Sequence, residues 1–388
     1  MNAALHLTLG CNLRCAYCYA GTKVDRSMSP ETARAAVDFL VARTRLHGGV
    51  LRLTFFGGEP LIRFDLLRLI VERARTGADV RFHAITNGTL LTEERLSFLA
   101  SHGVEVTVSI DGTREMHDAE RRTVGGRGSF DLAMAGARRL LKADPYAKAN
   151  MVITPRNAPH LAEGVRFLRE TGFRYLDIAP DFGAEWDVTS LRTLRKEYAK
   201  LADYYVECHR AGTKITITLL DDKIRAHALN DGRAEGAPSG CDAGGSMLSI
   251  APSGRVYPCV QDVGDDGPAD EPRAIGDVFR GIDEGRRAAF RARISGTAEE
   301  CRGCAFAGRC HNYCACANRR ATGDPGRPSA FLCEHERMLI PIADRAAEIL
   351  WRERNALFVG RTYDRAYPVL SYVEEALAGT GRRSTSPW

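Results

Sequence analysis

Three cysteines, Cys11, Cys15 and Cys18, fall within eight positions near the start of the chain, in "LGCNLRCAYCYA". The spacing is C-x3-C-x2-C, and no fourth cysteine or histidine stands close by. A structural zinc site closes a tetrahedron with four ligands, commonly two CxxC pairs. Three thiolates suit a four-iron cluster better, because they hold three irons and leave the fourth open to bind and activate a small molecule. A second block lies far downstream: Cys241 and Cys259, with Gly254 between them, then Cys301, Cys304, Cys310, Cys314, Cys316 and Cys333. Eleven of the twelve cysteines fall into these two blocks, and Cys208 in "LADYYVECHRAG" reads as an ordinary half-buried thiol.

The chain must hold these cysteines on a folded frame, and 388 residues suffice for one large domain with a smaller companion. Forty-four per cent of residues are apolar and 27% charged, the balance of a globular protein. No apolar run approaches the roughly 20 residues of a membrane span, and "MNAALHLTLG" lacks the basic leader of a secretory signal. The expected location is the cytoplasm, where clustered thiols point to metal rather than disulfides. The net charge of +5 is spread along the chain without a basic block, so neither nucleic acid nor membrane is an expected partner.

From residue 4 to about 220, β-rich runs alternate with amphipathic stretches. Strands are expected near 4–9, 50–56, 79–85, 104–110, 148–154 and 174–179, and helices near 30–46, 61–76, 92–102, 129–143, 158–171 and 190–211. Six strand-helix units predict an α/β fold, a partial (β/α)6 TIM-like barrel, with its chemistry in loops beyond the strands' carboxyl ends. There lie the cysteine loop, the turn "GGEP" from Gly57 to Pro60, Asn87 in "TNG", and Ser109 before "DG". Residues 228–245 read as a polar, Gly-rich linker, and "MLSIAPSGRVYPCV" as a β-hairpin ending at Cys259. Residues 300–333 hold too little apolar material to order without metal. Residues 334–378 look helical, and 379–388 read as a frayed tail. The expected division is 1–225 for the barrel, 226–340 for the cysteine-rich unit with its hairpin and helices, and 341–388 for a helical segment and tail.

The early cysteines with aromatic Tyr17, CxxxCxΦC, together with the GGEP turn, resemble the radical S-adenosylmethionine (SAM) superfamily. The resemblance implies a cluster on Cys11, Cys15 and Cys18 whose open iron binds SAM; its cleavage yields a 5′-deoxyadenosyl radical. It also implies that Gly57 and Gly58 let backbone approach the SAM amino group, that Glu59 accepts from that ammonium, and that Pro60 stiffens the turn. Asn87 and Ser109 would touch the ribose and methionine parts, and Arg121 or Arg122, the latter taken as the site residue, the SAM carboxylate. The later cysteines resemble the SPASM domain, which implies two auxiliary four-iron clusters and three in all. Cys301, Cys304, Cys310 and Cys333 would hold the outer cluster; Cys241, Cys259 and Cys314 would hold the inner. Relatives that close the inner cluster do so with a cysteine soon after the first, but "DAGGSM" offers none. Three ligands are the expectation there, with Cys316 as the leading alternative and Asp242 another.

The implied function is post-translational modification of a ribosomally made peptide by cross-linking, epimerisation or related C–H chemistry. The alternatives are an anaerobic sulfatase maturase forming formylglycine and a non-catalytic iron-sulfur electron carrier. The expected partners are a peptide or protein substrate and an electron donor such as flavodoxin or ferredoxin. With ten residues before Cys11, leader recognition is expected from a separate small protein or from another surface of this chain. Asp177, Asp181, Asp221 and Asp222 lie near late strand ends, and no catalytic base is assigned among them.

Overall fold

The computed structural model describes residues 1–75, 77–228, 241–296, 298–312 and 314–363. The linker expected over 228–245 falls largely outside them, as do the helical reading of 364–378 and the tail. The first half runs β1 Asn2–Thr8, β2 Leu13–Cys15, α1 Pro30–His47, β3 Leu51–Gly57, α2 Phe64–Ala74, β4 Val80–Thr86, α3 Glu93–Ser101, β5 Val104–Ser109, α4 Arg114–Glu120 and β6 Arg121–Thr123. It continues through α5 Phe130–Ala143, β7 Lys148–Ile153, α6 Leu161–Thr171, β8 Tyr175–Pro180, α7 Val188–Arg210, β9 Thr216–Ile217 and α8 Thr218–Ala228. The cysteine-rich half holds β10 Met247–Ile250, β11 Arg255–Tyr257, β12 Gly276–Asp277, β13 Gly281–Ile282, α9 Glu284–Ile294, α10 Ala315–Thr322, α11 Ala330–Arg352 and α12 Ala356–Tyr363.

Strands β1, β3, β4, β5, β7, β8 and β9 lie side by side in parallel register, and successive crossovers carry helices. This is the expected open α/β barrel. Its pleat sorts the side chains. Along β3, Leu51, Leu53 and Phe55 are buried, whereas Arg52, Thr54 and Phe56 are more open. The first set packs with Leu5 and Leu7 of β1 and with Val37, Leu40, Ile70 and Val71 of the covering helices in one continuous core. Burying each such side chain contributes about 1.5–3 kcal/mol. With one face held this way, a one-residue slip would turn the whole apolar set outward.

The expected hairpin forms from β10 and β11. It does not stand apart, because β10 pairs in parallel with the free edge of β1, Ala3 opposite Leu248 and Leu5 opposite Ile250. The sheet is therefore continuous across 11 strands, ending in β12 and β13. The expected division at 340/341 falls inside α11, which runs unbroken through it and packs against α7 and α8. No helix among the described residues is long and apolar enough to cross a membrane.

Candidate functional site

The loop after β1 carries the first three cysteines and is held from two sides. Residues Leu13 to Cys15 form a short antiparallel ladder with β6, Cys15 opposite Arg121 and Arg14 opposite Arg122. From the other side, the glycine turn docks onto the loop: Gly58 N donates to Thr8 O at 2.8 Å, and Glu59 N to Gly10 O at 3.0 Å. A Cβ on Gly57, whose φ is 127°, would run into the Thr8 carbonyl oxygen, and one on Gly58 into that of Gly10. The glycines are thus required by backbone closing on the cysteine loop, a different reason from the approach to a ligand expected from sequence.

Glu59 also differs from its expected role. It is 1% exposed, and its carboxylate accepts from Leu61 N at 3.0 Å, Thr86 Oγ1 at 2.8 Å and Asn87 N at 2.8 Å. Three of its roughly four acceptor positions are spent inside the protein, so it ties the turn after β3 to the loop after β4. Burial pushes this carboxyl up, and the three donors oppose that shift. Pro60 opens the short 3-10 turn that Glu59 caps. Asn87 passes the connection on, donating from Nδ2 to Asn12 Oδ1 at 2.9 Å and towards Cys11 Sγ at 3.9 Å. Ser109, buried at the end of β5, completes the same rim.

Successive side chains of a strand point to opposite faces, and this separates the two arginines. Arg121 is buried, whereas Arg122 is exposed and donates only to Asp118 O at 3.2 Å. The expectation for Arg122 is corrected accordingly: it points away from the cysteine loop. Arg121 is held instead by the buried Asp111, with Nε to Oδ2 at 2.8 Å and Nη2 to Oδ1 at 3.1 Å. Tyr17 donates its hydroxyl to the same carboxylate at 2.6 Å, with the guanidinium 5.2 Å from its ring centre. Asp111 was not singled out in the sequence, although the "DG" after the fourth barrel strand was its signal.

The three thiols are half-buried. Leu13 N donates to Cys11 Sγ at 3.4 Å and Lys23 Nζ to Cys18 Sγ at 2.9 Å. Burial pushes the Cys15 thiol up to about 12, opposed first by Arg121. Metal would have to displace that proton. Donors aimed at sulfur suit thiolates, so this set fits the cluster the sequence implies. Lys23, five residues beyond Cys18, had no sequence signal beyond its proximity.

The later cysteines sort into two groups. Cys259 and Cys316 lie within thiol hydrogen-bonding reach, which pulls Cys259 down to about 7, and Cys314 and Cys241 share their electrostatic surroundings. Cys316 is 1% exposed at the start of α10 and faces Asp262 Oδ2 at 3.5 Å. Cys316 thus lies beside Cys259, in the electrostatic neighbourhood of Cys314 and Cys241. Asp242 is engaged elsewhere, its carboxylate accepting from Ser246 N and from Arg291 Nη1. In the outer group Cys333 lies in the field of Cys301 and Cys304, and Cys310 in that of Cys333. A zinc ion would need its thiolates about 2.3 Å from one point. Among the described residues no three His, Cys, Asp or Glu side chains converge to hold one metal ion.

Tyr19 is buried within the electrostatic reach of both groups: burial first, then Cys259, Cys18 and Cys316, push its hydroxyl up. Arg320 of α10 covers its ring at 6.0 Å and pairs with Asp181, just past β8, at 3.2 Å. Of the four late aspartates, Asp181 is thus spent on an ion pair. Asp221 is likewise engaged, accepting from Tyr205 Oη at 2.8 Å.

Residues 5–168 match the radical SAM superfamily. An AdoMet-dependent heme synthase of Methanosarcina barkeri is 28% identical over 280 residues, 66% of this chain and 75% of that protein. A cysteine-type anaerobic sulfatase-maturating enzyme of Clostridium perfringens is 24% identical over 272 residues, 64% and 71% of the two chains. The PqqA peptide cyclase of Bradyrhizobium diazoefficiens is 26% identical over 350 residues, 89% of each. Among solved structures, native anSMEcpe with bound AdoMet and Kp18Cys peptide shares the fold at a TM-score of 0.75 and 19% identity, covering 90% of this chain and 98% of that one. Cysteine loop, glycine turn and parallel rim thus meet in one frame, and the chain carries a radical SAM domain related to those of anaerobic sulfatase maturases and PqqA peptide cyclases.

Proposed function

We propose that Cys11, Cys15 and Cys18 hold a four-iron cluster open to SAM at its fourth iron, and that the enzyme modifies a ribosomally made peptide. One observation carries this reading: the loops after β1, β3 and β4 are hydrogen-bonded to one another through Glu59 and Asn87, in a network that reaches Cys11, the first of the three thiols. Bound SAM and reduced cluster together supply a 5′-deoxyadenosyl radical for hydrogen abstraction. The chain's own part is to hold that site. Asn87 and Lys23 donate to sulfur, Glu59 braces the turn beside it, and Ser109 offers a hydroxyl on the rim. Cys241, Cys259, Cys314 and Cys316 would hold an inner auxiliary cluster, and Cys301, Cys304, Cys310 and Cys333 an outer one. With the inner group closed by four thiols, its work would be electron transfer rather than direct ligation of substrate. A flavodoxin or ferredoxin would deliver the electron, and leader recognition would fall to a separate small protein or to another surface of this chain.

The peptide reading is supported by the PqqA peptide cyclase, which matches this chain along most of its length. Sulfatase maturation is the second reading, supported by the sulfatase-maturating relative. Against it stands the stretch "DAGGSM" after Cys241, which offers no further inner cysteine of the kind such enzymes usually carry; in this reading Cys316 would take that place. Anaerobic co-expression with each small open reading frame flanking the gene, followed by mass spectrometry, tests the choice. A peptide lighter by one hydrogen molecule, or of unchanged mass with deuterium taken up, supports the proposal. Formylglycine in a sulfatase fragment, with every flanking peptide unchanged, selects the second reading.

A further inference from the structure

We propose that the buried Asp111–Arg121 pair tunes the reduction potential of the cluster at Cys11, Cys15 and Cys18, with the guanidinium as its near, positive end. The inference rests on the cluster reading above. Its first support is register. Cys15 and Arg121 are directly opposed in the β2–β6 ladder, and opposed residues project from the same face with Cβ atoms about 4.5–5.5 Å apart. Arg14 and Arg122 are the next opposed pair, on the exposed face. One arginine of "ERR" therefore reaches solvent while the other is carried against a cysteine.

Burial is the second support. Arg121 is 5% exposed and Asp111 0%, so little solvent screens either charge. Lys23, also beside the loop, is half-buried and better screened.

The third support is that the pair is fixed at both ends. Asp111 also accepts from Val152 N at 3.0 Å, which roots it in β7 away from the loop. Its own N–H donates to His117 Nδ1 at 3.4 Å, His117 Nε2 lies 3.0 Å from Ser129 Oγ, and Ser129 Oγ donates to Arg121 O at 2.8 Å. That closed circuit holds both ends of the ion pair.

Cluster potential responds to nearby charge and hydrogen bonding. Reduction adds one electron, which a fixed cation favours and a fixed anion opposes. Asp111 offsets part of the cation's effect, so each partner can be removed with an opposite consequence. Both act through the cluster and are positioning residues.

The test is a potentiometric titration of the reduced-cluster EPR signal that responds to added SAM, in the reconstituted full-length protein. Asp111→Asn should shift the midpoint to more positive potential, and Arg121→Met to more negative potential. The double variant Asp111→Asn/Arg121→Met should fall between the two. Tyr17→Phe, which removes a hydrogen bond without removing charge, should shift it less than either single variant. Should Asp111→Asn fail to fold with its cation unpaired, Arg121→Met and the double variant still carry the test. Shifts of one sign in both single variants, or none at full iron content, would overturn the inference while leaving the cluster reading intact. Absence of any SAM-responsive signal in the unsubstituted protein would overturn both.

Discussion

Cys316 is where a single residue changes the chemistry expected of the site. Spacing leaves the proposed inner group one cysteine short, and Cys316, in the first turn of α10 two residues beyond Cys314, is the thiol that lies beside Cys259. The CxC spacing was visible, but which thiol faces Cys259 is set by the helix start, which the sequence did not reveal. Cys316→Ala should remove one cluster's worth of iron and its EPR signature, whereas Cys208→Ala, buried in the apolar core on α7, should leave iron content unchanged. Equal iron in both variants would contradict a closing role. Glu59 and Arg122 carry the complementary lesson. Their residue types suggested ligand contacts, yet burial decides that Glu59 serves the frame, and strand alternation decides that Arg122 serves the surface.

Among the elements, the six barrel strands and their helices were legible because each writes its period into the sequence over six or more residues. The β2–β6 ladder was not, being three residues long on each strand. Nor was α8, whose "TLLDDKIRAHA" follows directly on β-favouring "ITI". The union of β10 with β1 depends on a pairing across some 245 positions, which no local pattern records. The turn after β3 gives the clearest test at this scale. Gly58→Ala would press a methyl into the Gly10 carbonyl. Overpacking against backbone costs about 1–3 kcal/mol or more, and the cysteine loop would be displaced. Gly125 meets nothing within 4 Å, so Gly125→Ala should be neutral or stabilise by up to ~1 kcal/mol. Denaturation midpoints and iron content measured together check both; parallel losses in the two variants would contradict the close-approach argument.

Across the whole molecule, barrel and cysteine-rich half are joined by a buried charge as well as by the shared sheet. Lys223 of α8 donates to Glu336 of α11 at 2.9 Å and to Arg309 O at 3.2 Å, beside Cys310. Lys223→Met leaves a buried carboxylate without its lysine, with His311 still facing it, for an expected loss of about 3–5 kcal/mol, and adding Glu336→Leu should recover much of it. Chemical denaturation of the two variants decides; a double variant no more stable than Lys223→Met would contradict the buried-pair account. Acid sensitivity is a second global property. Burial, aided by Arg121, holds His117 down to about 4, and burial, aided by Lys23, holds His6 to about 3. Between those values and about 6.5 the unfolded chain binds protons that the folded chain refuses, so stability falls as pH falls, by up to ~1.4 kcal/mol per unit for each histidine. His117→Gln should flatten the profile between pH 6.5 and about 4 relative to the unsubstituted protein. An identical slope would show that His117 does not contribute.

The account turns on what the first three cysteines do. The most direct measurement is 5′-deoxyadenosine formation from SAM by the anaerobically reconstituted protein under dithionite. The account predicts steady production that Cys15→Ala abolishes while the iron held by the later cysteines persists. A fully iron-loaded protein that leaves SAM intact would contradict it.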